Sequence, residues 1–134
     1  MKYLRKVFLG GTCNNSTWRD ELMPQLTIDY FNPVVDDWTE DDQLKEEYEK
    51  DQCDIHYYCI TKDMTGVYSI AEMIDSVHNR NKKTVVHVIP DGFKDNQIKS
   101  FKAVLNLINQ RGGITFLSND LNLSVELLNA LQYM

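Results

Sequence analysis

DIHYYCITKDMTGVYSIAEMIDSVHNRNKKTVVHVIP, residues 54–90, reads as strand, helix, strand. Residues 54–60 are a short apolar run rich in Ile and Tyr, and 84–89 (TVVHVI) form a second run dense in β-branched valine, both fitting strands. Between them Gly66 marks a turn and 68–80 carries apolar residues at helical spacing. Two strands joined by a helix of this length make a parallel crossover, right-handed by rule.

The same alternation extends outward. Strands are expected at about 5–10 (RKVFLG), 27–32 (TIDYFN) and 113–117 (GITFL), and helices at about 16–26, 40–51, 95–110 and 119–132. Ser16 or Thr17, Thr39, and Asn119 or Asp120 are the candidate N-caps. Pro24 should bend or end the first helix early, and Gly112-Gly113 should stop the fourth. The order βαβαβαβαβα over residues 1–134 predicts one α/β domain: a five-stranded parallel sheet in the flavodoxin-like order 2-1-3-4-5, with helices on both faces.

A chain of 134 residues can enclose a core without disulfide or metal staples, and its 43% apolar and 25% charged content is that of a soluble folded domain. The apolar run in MKYLRKVFLGGT is too short for a signal-peptide core, and no run reaches bilayer length. Cys13, Cys53 and Cys59 are odd in number and lack CxxC spacing, so reduced thiols in the cytoplasm are expected. The net charge of −6, with acids concentrated in DDWTEDDQLKEEYEKDQCD (36–54), argues against polymeric nucleic acid as partner. A small nucleoside or nucleotide, held by local contacts in a pocket, remains open.

In an open parallel sheet, ligands bind beyond the carboxyl ends of the strands where strand order reverses, here between the first and third. The first loop there, GGTCNNST, offers Gly10, Gly11 and Thr12 for close backbone approach to a ligand; a plain tight turn explains them as well. The second, FNPVVDDW, holds Asn32, Asp36, Asp37 and Trp38. Asn32-Pro33 reads equally as a turn and the two acids as solvated charges, while the indole could stack on a base or sugar. After the third strand, Gly66, Tyr68 and Ser69 lead into a helix carrying Glu72. That glutamate either answers the helix dipole or serves as a nucleophile, with Glu46 and Asp54 as acids expected at the same end of the sheet. His56, His78 and His87 have no zinc spacing, and His56 and His87 fall within strands as packed residues.

VFLGGT…STWRDEL at 7–22, FNPVVDDW at 31–38, CDIHYYCIT, GVYSIAEMIDS and KKTVVHVIP together resemble the nucleoside 2-deoxyribosyltransferase-like family over residues 5–91. The resemblance implies Glu72 as the nucleophile that forms a sugar–enzyme intermediate. It also implies an upstream acid, Glu46, with Glu47 and Glu49 as alternatives. A homo-oligomer whose neighbours complete each pocket is implied too. Many members carry an Asp six residues before the nucleophile, where this chain has Gly66; Asp63, Asp36 or Asp37 would have to serve instead. The expected activity is cleavage or exchange of an N-glycosidic bond of a nucleoside or nucleotide, with neither cofactor nor metal, since carboxylates meet the charge of the transition state. The rival expectation is a nucleotide-binding protein on the same fold without turnover.

Overall fold

The computed structural model describes residues 5–13, 16–35 and 39–134. Five parallel strands run β1 (Lys6–Gly11), β2 (Asp29–Phe31), β3 (Ile55–Ile60), β4 (Lys83–Val88) and β5 (Ile114–Leu117), in the sheet order β2-β1-β3-β4-β5. The helices are α1 (Trp18–Leu22), α2 (Glu40–Gln52), α3 (Tyr68–His78), α4 (Asp95–Gln110) and α5 (Asn122–Leu131). Fold class and strand order are those the sequence predicts. No helix among the described residues is long and apolar enough to cross a membrane.

Several boundaries differ from expectation for local reasons. The first helix is only five residues, because Pro24 turns the chain into a 3-10 segment, Met23–Gln25. The second strand shrinks to three residues at the sheet edge. Thr39 caps α2 through a reciprocal box with Asp42. At α5 the cap position falls to Leu121, while Asp120 accepts from the Asn122 N–H as a turn residue. Gly112, at φ 90°, ends α4 with the Gly113 N–H donating to the Ile108 carbonyl.

All six residues of β3 are buried, so side-chain alternation sends successive residues into two separate cores. Ile55, Tyr57 and Cys59 join Val7, Leu9, Trp18, Leu22 and Leu128 on the α1/α5 face. Tyr58 and Ile60 pack with Met73, Val86, Val88, Leu105 and Ile108 on the α3/α4 face. The chain leaves β1 toward one face and β3 toward the other. A crevice opens where those exits diverge.

Candidate functional site

The Gly-Gly pair does not form a turn; it is the C-terminal end of β1. A Cβ at Gly10 would lie 2.6 Å from the Tyr58 ring, and Gly11, at φ 112°, has no room for one against the Cys59 carbonyl. Two glycines thus let Tyr58 and the β3 backbone close against β1 and leave an open floor above them. That floor belongs to a cleft of about 650 Å³. One wall comes from α2, whose Gln43, Glu46, Glu47 and Lys50 recur at helical spacing on a single side. The opposite wall is the start of α3, with Tyr68, Ser69 and Glu72, and Val34 and Val35 form the rim. Among the described residues, no side chain caps α3.

Glu72 opens the second turn of α3, and its Oε2 accepts a bond from Lys50 Nζ at 2.8 Å across the cleft. The two side chains are only 12% and 20% exposed, so solvent screens this pair less than a surface bridge. The ammonium also lies 5.8 Å from the Phe8 ring centroid and 5.9 Å from that of Tyr58. Burial works against the Lys50 charge, but the hydrogen bond and charge of Glu72, with the Tyr58 oxygen beside it, outweigh it and its pKa is raised. Lys50 stays a cation at neutral pH.

Beneath the pair lies a buried polar chain. His56 Nε2 is 2.7 Å from the Lys50 carbonyl, His56 Nδ1 is 2.8 Å from Ser76 Oγ, and Tyr58 Oη is 2.7 Å from the same Ser76 oxygen. A carbonyl only accepts, which fixes the tautomer: Nε2–H donates to Lys50, Ser76 donates to Nδ1, and Tyr58 donates to Ser76. Burial lowers the His56 pKa and pushes the Tyr58 phenol up to about 12, so both stay neutral.

Arg19 also reaches the cleft, yet it is almost wholly buried. Its Nε and Nη2 donate to the Leu9 carbonyl at 3.1 and 2.9 Å, and its Nη1 to the Thr12 carbonyl at 2.8 Å. It braces the end of β1 and sits 4.2 Å over the Trp18 ring.

Of the residues singled out in the sequence, the cleft brings together Gly10, Gly11, Glu46, Tyr68, Ser69 and Glu72. Thr12 is buried beside it, where its hydroxyl accepts from the Thr61 N–H and lines an adjoining hollow. Asn32 Oδ1 accepts from the Val34 N–H in a turn, and the residue is not part of the lining. Asp36, Asp37 and Trp38 lie outside the described residues. Among the alternative upstream acids Glu47 lines the cleft, whereas Glu49 is paired with Lys6 at 2.9 Å. Asp54 is at the other end of the sheet, because it precedes β3; there it accepts from the Lys6 N–H and sits 3.7 Å from Arg5. Asp63 lines a different hollow, with Thr61 and Asp91. Lys50 and Arg19 are the charged cleft residues that sequence reasoning missed, and Phe8 and Gln43 line the cleft without having been singled out either. The one available signal for Lys50 was its helical spacing from Glu46 and Glu47.

The family model for nucleoside 2-deoxyribosyltransferase-like proteins matches residues 4–92, the stretch that contains the described lining of the cleft. The chain belongs to that family. Membership supports a nucleoside-related role of the glycosyl-transfer kind. No curated protein matches the chain.

Proposed function

We propose that this protein cleaves or exchanges the N-glycosidic bond of a (deoxy)nucleoside or nucleotide, with Glu72 as nucleophile. The observation that carries the reading is the placement of the Glu72 carboxylate in a cleft whose other wall presents Glu46 and Glu47. A Glu72 oxygen attacks C1′ and the C1′–N bond breaks, its electron pair going to the base nitrogen. The departing base takes a proton from a carboxylic acid. Glu46 is the candidate the family points to, with Glu47 and Asp37 as alternatives. Water or a second base then attacks C1′, gives up a proton and releases Glu72 as carboxylate. Tyr68 and Ser69 contact the ligand at the mouth.

The same reading places the protein in the cytoplasm, where its three free thiols remain reduced. It also includes a homo-oligomer: Val67 and Tyr68 are exposed beside the cleft, and Ile70, Ala71 and Ile74 line an apolar hollow along α3 that a second copy would cover. The Lys50–Glu72 bond favours a second reading, a binder without turnover, because a carboxylate engaged by an ammonium is a weaker nucleophile. Chromatography of nucleosides and 5′-monophosphates incubated with the protein, with and without a second base, decides among these. Free base and sugar mark hydrolysis, a new nucleoside marks transfer, and ligand-induced stabilisation with no product marks the binder.

A further inference from the structure

We infer that Lys50 is the positioning residue of Glu72, and that the buried Tyr58–Ser76–His56 chain holds Lys50 to that task. The inference rests on the nucleophile reading of Glu72 and adds a second tier of residues to it. Among the described residues, Lys50 makes the only hydrogen bond to the Glu72 carboxylate, through Oε2. Fixing one oxygen orients the plane of the carboxylate and leaves Oε1 to face a sugar carbon.

A lysine side chain is otherwise a poor positioner, since four rotatable bonds let its ammonium wander. Here both ends are restrained. The ammonium is flanked by the Phe8 and Tyr58 rings. The backbone is gripped at the Lys50 carbonyl, in the last turn of α2. The grip comes from His56 on β3, and Ser76 on α3 joins His56 to Tyr58. Three elements are thereby tied around the pair: α2 carrying Lys50, α3 carrying Glu72, and the central strand between them. A shift of α2 along the sheet would break the Lys50–Glu72 bond and the His56–carbonyl bond together.

The molecule supplies its own control. On the other face, Tyr57, Ser124 and His87 repeat the same chemistry, but that chain ends on the Ser118 carbonyl and none of its residues is part of the described cleft lining. Ser76→Ala and Ser124→Ala each remove one bridging hydroxyl. Both should lower the melting temperature. Only Ser76→Ala should lower kcat per folded molecule, by roughly tenfold, because a misplacement of about 1 Å costs up to ~100-fold in rate. Lys50→Met should lower kcat by about 100-fold with KM changed less than about threefold, and Lys50→Arg, which keeps the cation, should recover most of that loss. Equal effects of the two serine variants on kcat, or a Lys50→Met loss confined to KM, would overturn the inference.

Crystal structures of Lys50→Met and Ser76→Ala give a readout that needs no turnover. The Glu72 carboxylate should leave its present rotamer in Lys50→Met, and the Lys50–Glu72 distance should lengthen in Ser76→Ala. An unmoved Glu72 in both overturns the positioning role. If the wild-type protein turns over no nucleoside, the proposed reaction fails, while these structures still decide what Lys50 does.

Discussion

Two adjacent tyrosines on the central strand meet the same problem on opposite faces of the sheet and resolve it alike. Tyr57 and Tyr58 are both fully buried, and each phenol donates to a serine that is in turn bonded to a histidine Nδ1. Each histidine then donates through Nε2 to a backbone carbonyl, 2.8 Å away at Ser118 and 2.7 Å at Lys50. Every polar atom in the two chains has a partner, which a buried hydroxyl or imidazole needs to avoid a desolvation penalty. They differ in where they end. The Tyr57 chain stops at a loop outside the cleft lining, and the Tyr58 chain stops at the residue paired with Glu72. Identical local chemistry is therefore structural on one face and connected to the cleft on the other. What ties one of them to the cleft is the owner of the last carbonyl, Lys50, whose ammonium also lies beside the Tyr58 ring.

The largest effect expected on this contrast is Glu72→Ala. Turnover should fall by at least about 1000-fold with affinity for substrate nearly unchanged, since a missing nucleophile costs rate far more than ground-state binding. Steady-state kinetics beside calorimetric binding measures this. Comparable activity in the variant, or a trapped sugar adduct mapped by mass spectrometry to another residue, would remove Glu72 from the role.

Next in size is His87→Leu. It leaves the Ser124 O–H without its acceptor, although Tyr57 still donates to that oxygen, and the Ser118 carbonyl without its donor, at a cost of about 2–3 kcal/mol. Activity per folded molecule should not change, because none of the three residues in that chain belongs to the described cleft lining. Urea unfolding with parallel rate measurements tests both halves. A fall in rate per folded molecule would erase the contrast between the faces.

A pH experiment sharpens the same comparison. Burial lowers the pKa of both His56 and His87, so the folded protein binds fewer protons than the unfolded chain, whose histidines titrate near ~6.5. The stability these neutral rings retain is fully present above that pH. It is lost progressively as pH falls through ~6.5 toward the lower folded-state values. The bonds to the Lys50 and Ser118 carbonyls oppose the shift at the two rings; the Lys50 and Lys82 ammonium charges reinforce it at His56, while Asp120 opposes it further at His87. Between pH 7.5 and 5 the unfolding free energy of the wild type should decline more steeply than that of His87→Leu. Parallel curves would show that His87 contributes no proton linkage.

The smallest effect concerns Gly66. The position is exposed, its backbone is not left-handed, and a Cβ there would meet nothing within 4 Å, so an aspartate fits without strain. Gly66→Asp restores a carboxylate six residues before Glu72, which in many family members helps protonate the base. It should shift the partition from hydrolysis toward transfer by a few-fold, on the order of 1 kcal/mol. Free sugar against new nucleoside, quantified with excess second base, is the measurement. An unchanged ratio would mean that Gly66 is a turn residue and nothing more.

The sequence by itself determined the architecture, because it depends on signals that are local and repeated. β-Branched and aromatic runs, helical spacing between them, the Thr39 cap and the Gly112 stop each act within a few residues, and together they admit one parallel sheet. The same local reading put Glu72, Tyr68 and Ser69 at the carboxyl edge, since a helix start follows a strand there, and that is where they line the cleft. The tertiary structure alone decided what touches what. Asp54 is close to Glu46 in the chain yet lies at the opposite end of the sheet, because a helix intervenes and a strand begins. Gly10 and Gly11 proved to be strand residues whose missing side chains admit Tyr58 and the Cys59 backbone. Lys50 and Glu72 stand 22 residues apart and meet only because α2 and α3 flank the same strand end. His56 and His87 give no sign in sequence that one grips the neighbour of a candidate nucleophile and the other a remote loop. Periodicity assigns a side chain to a face, whereas a hydrogen bond depends on where the partner element comes to rest, and that is set by how the two cores pack.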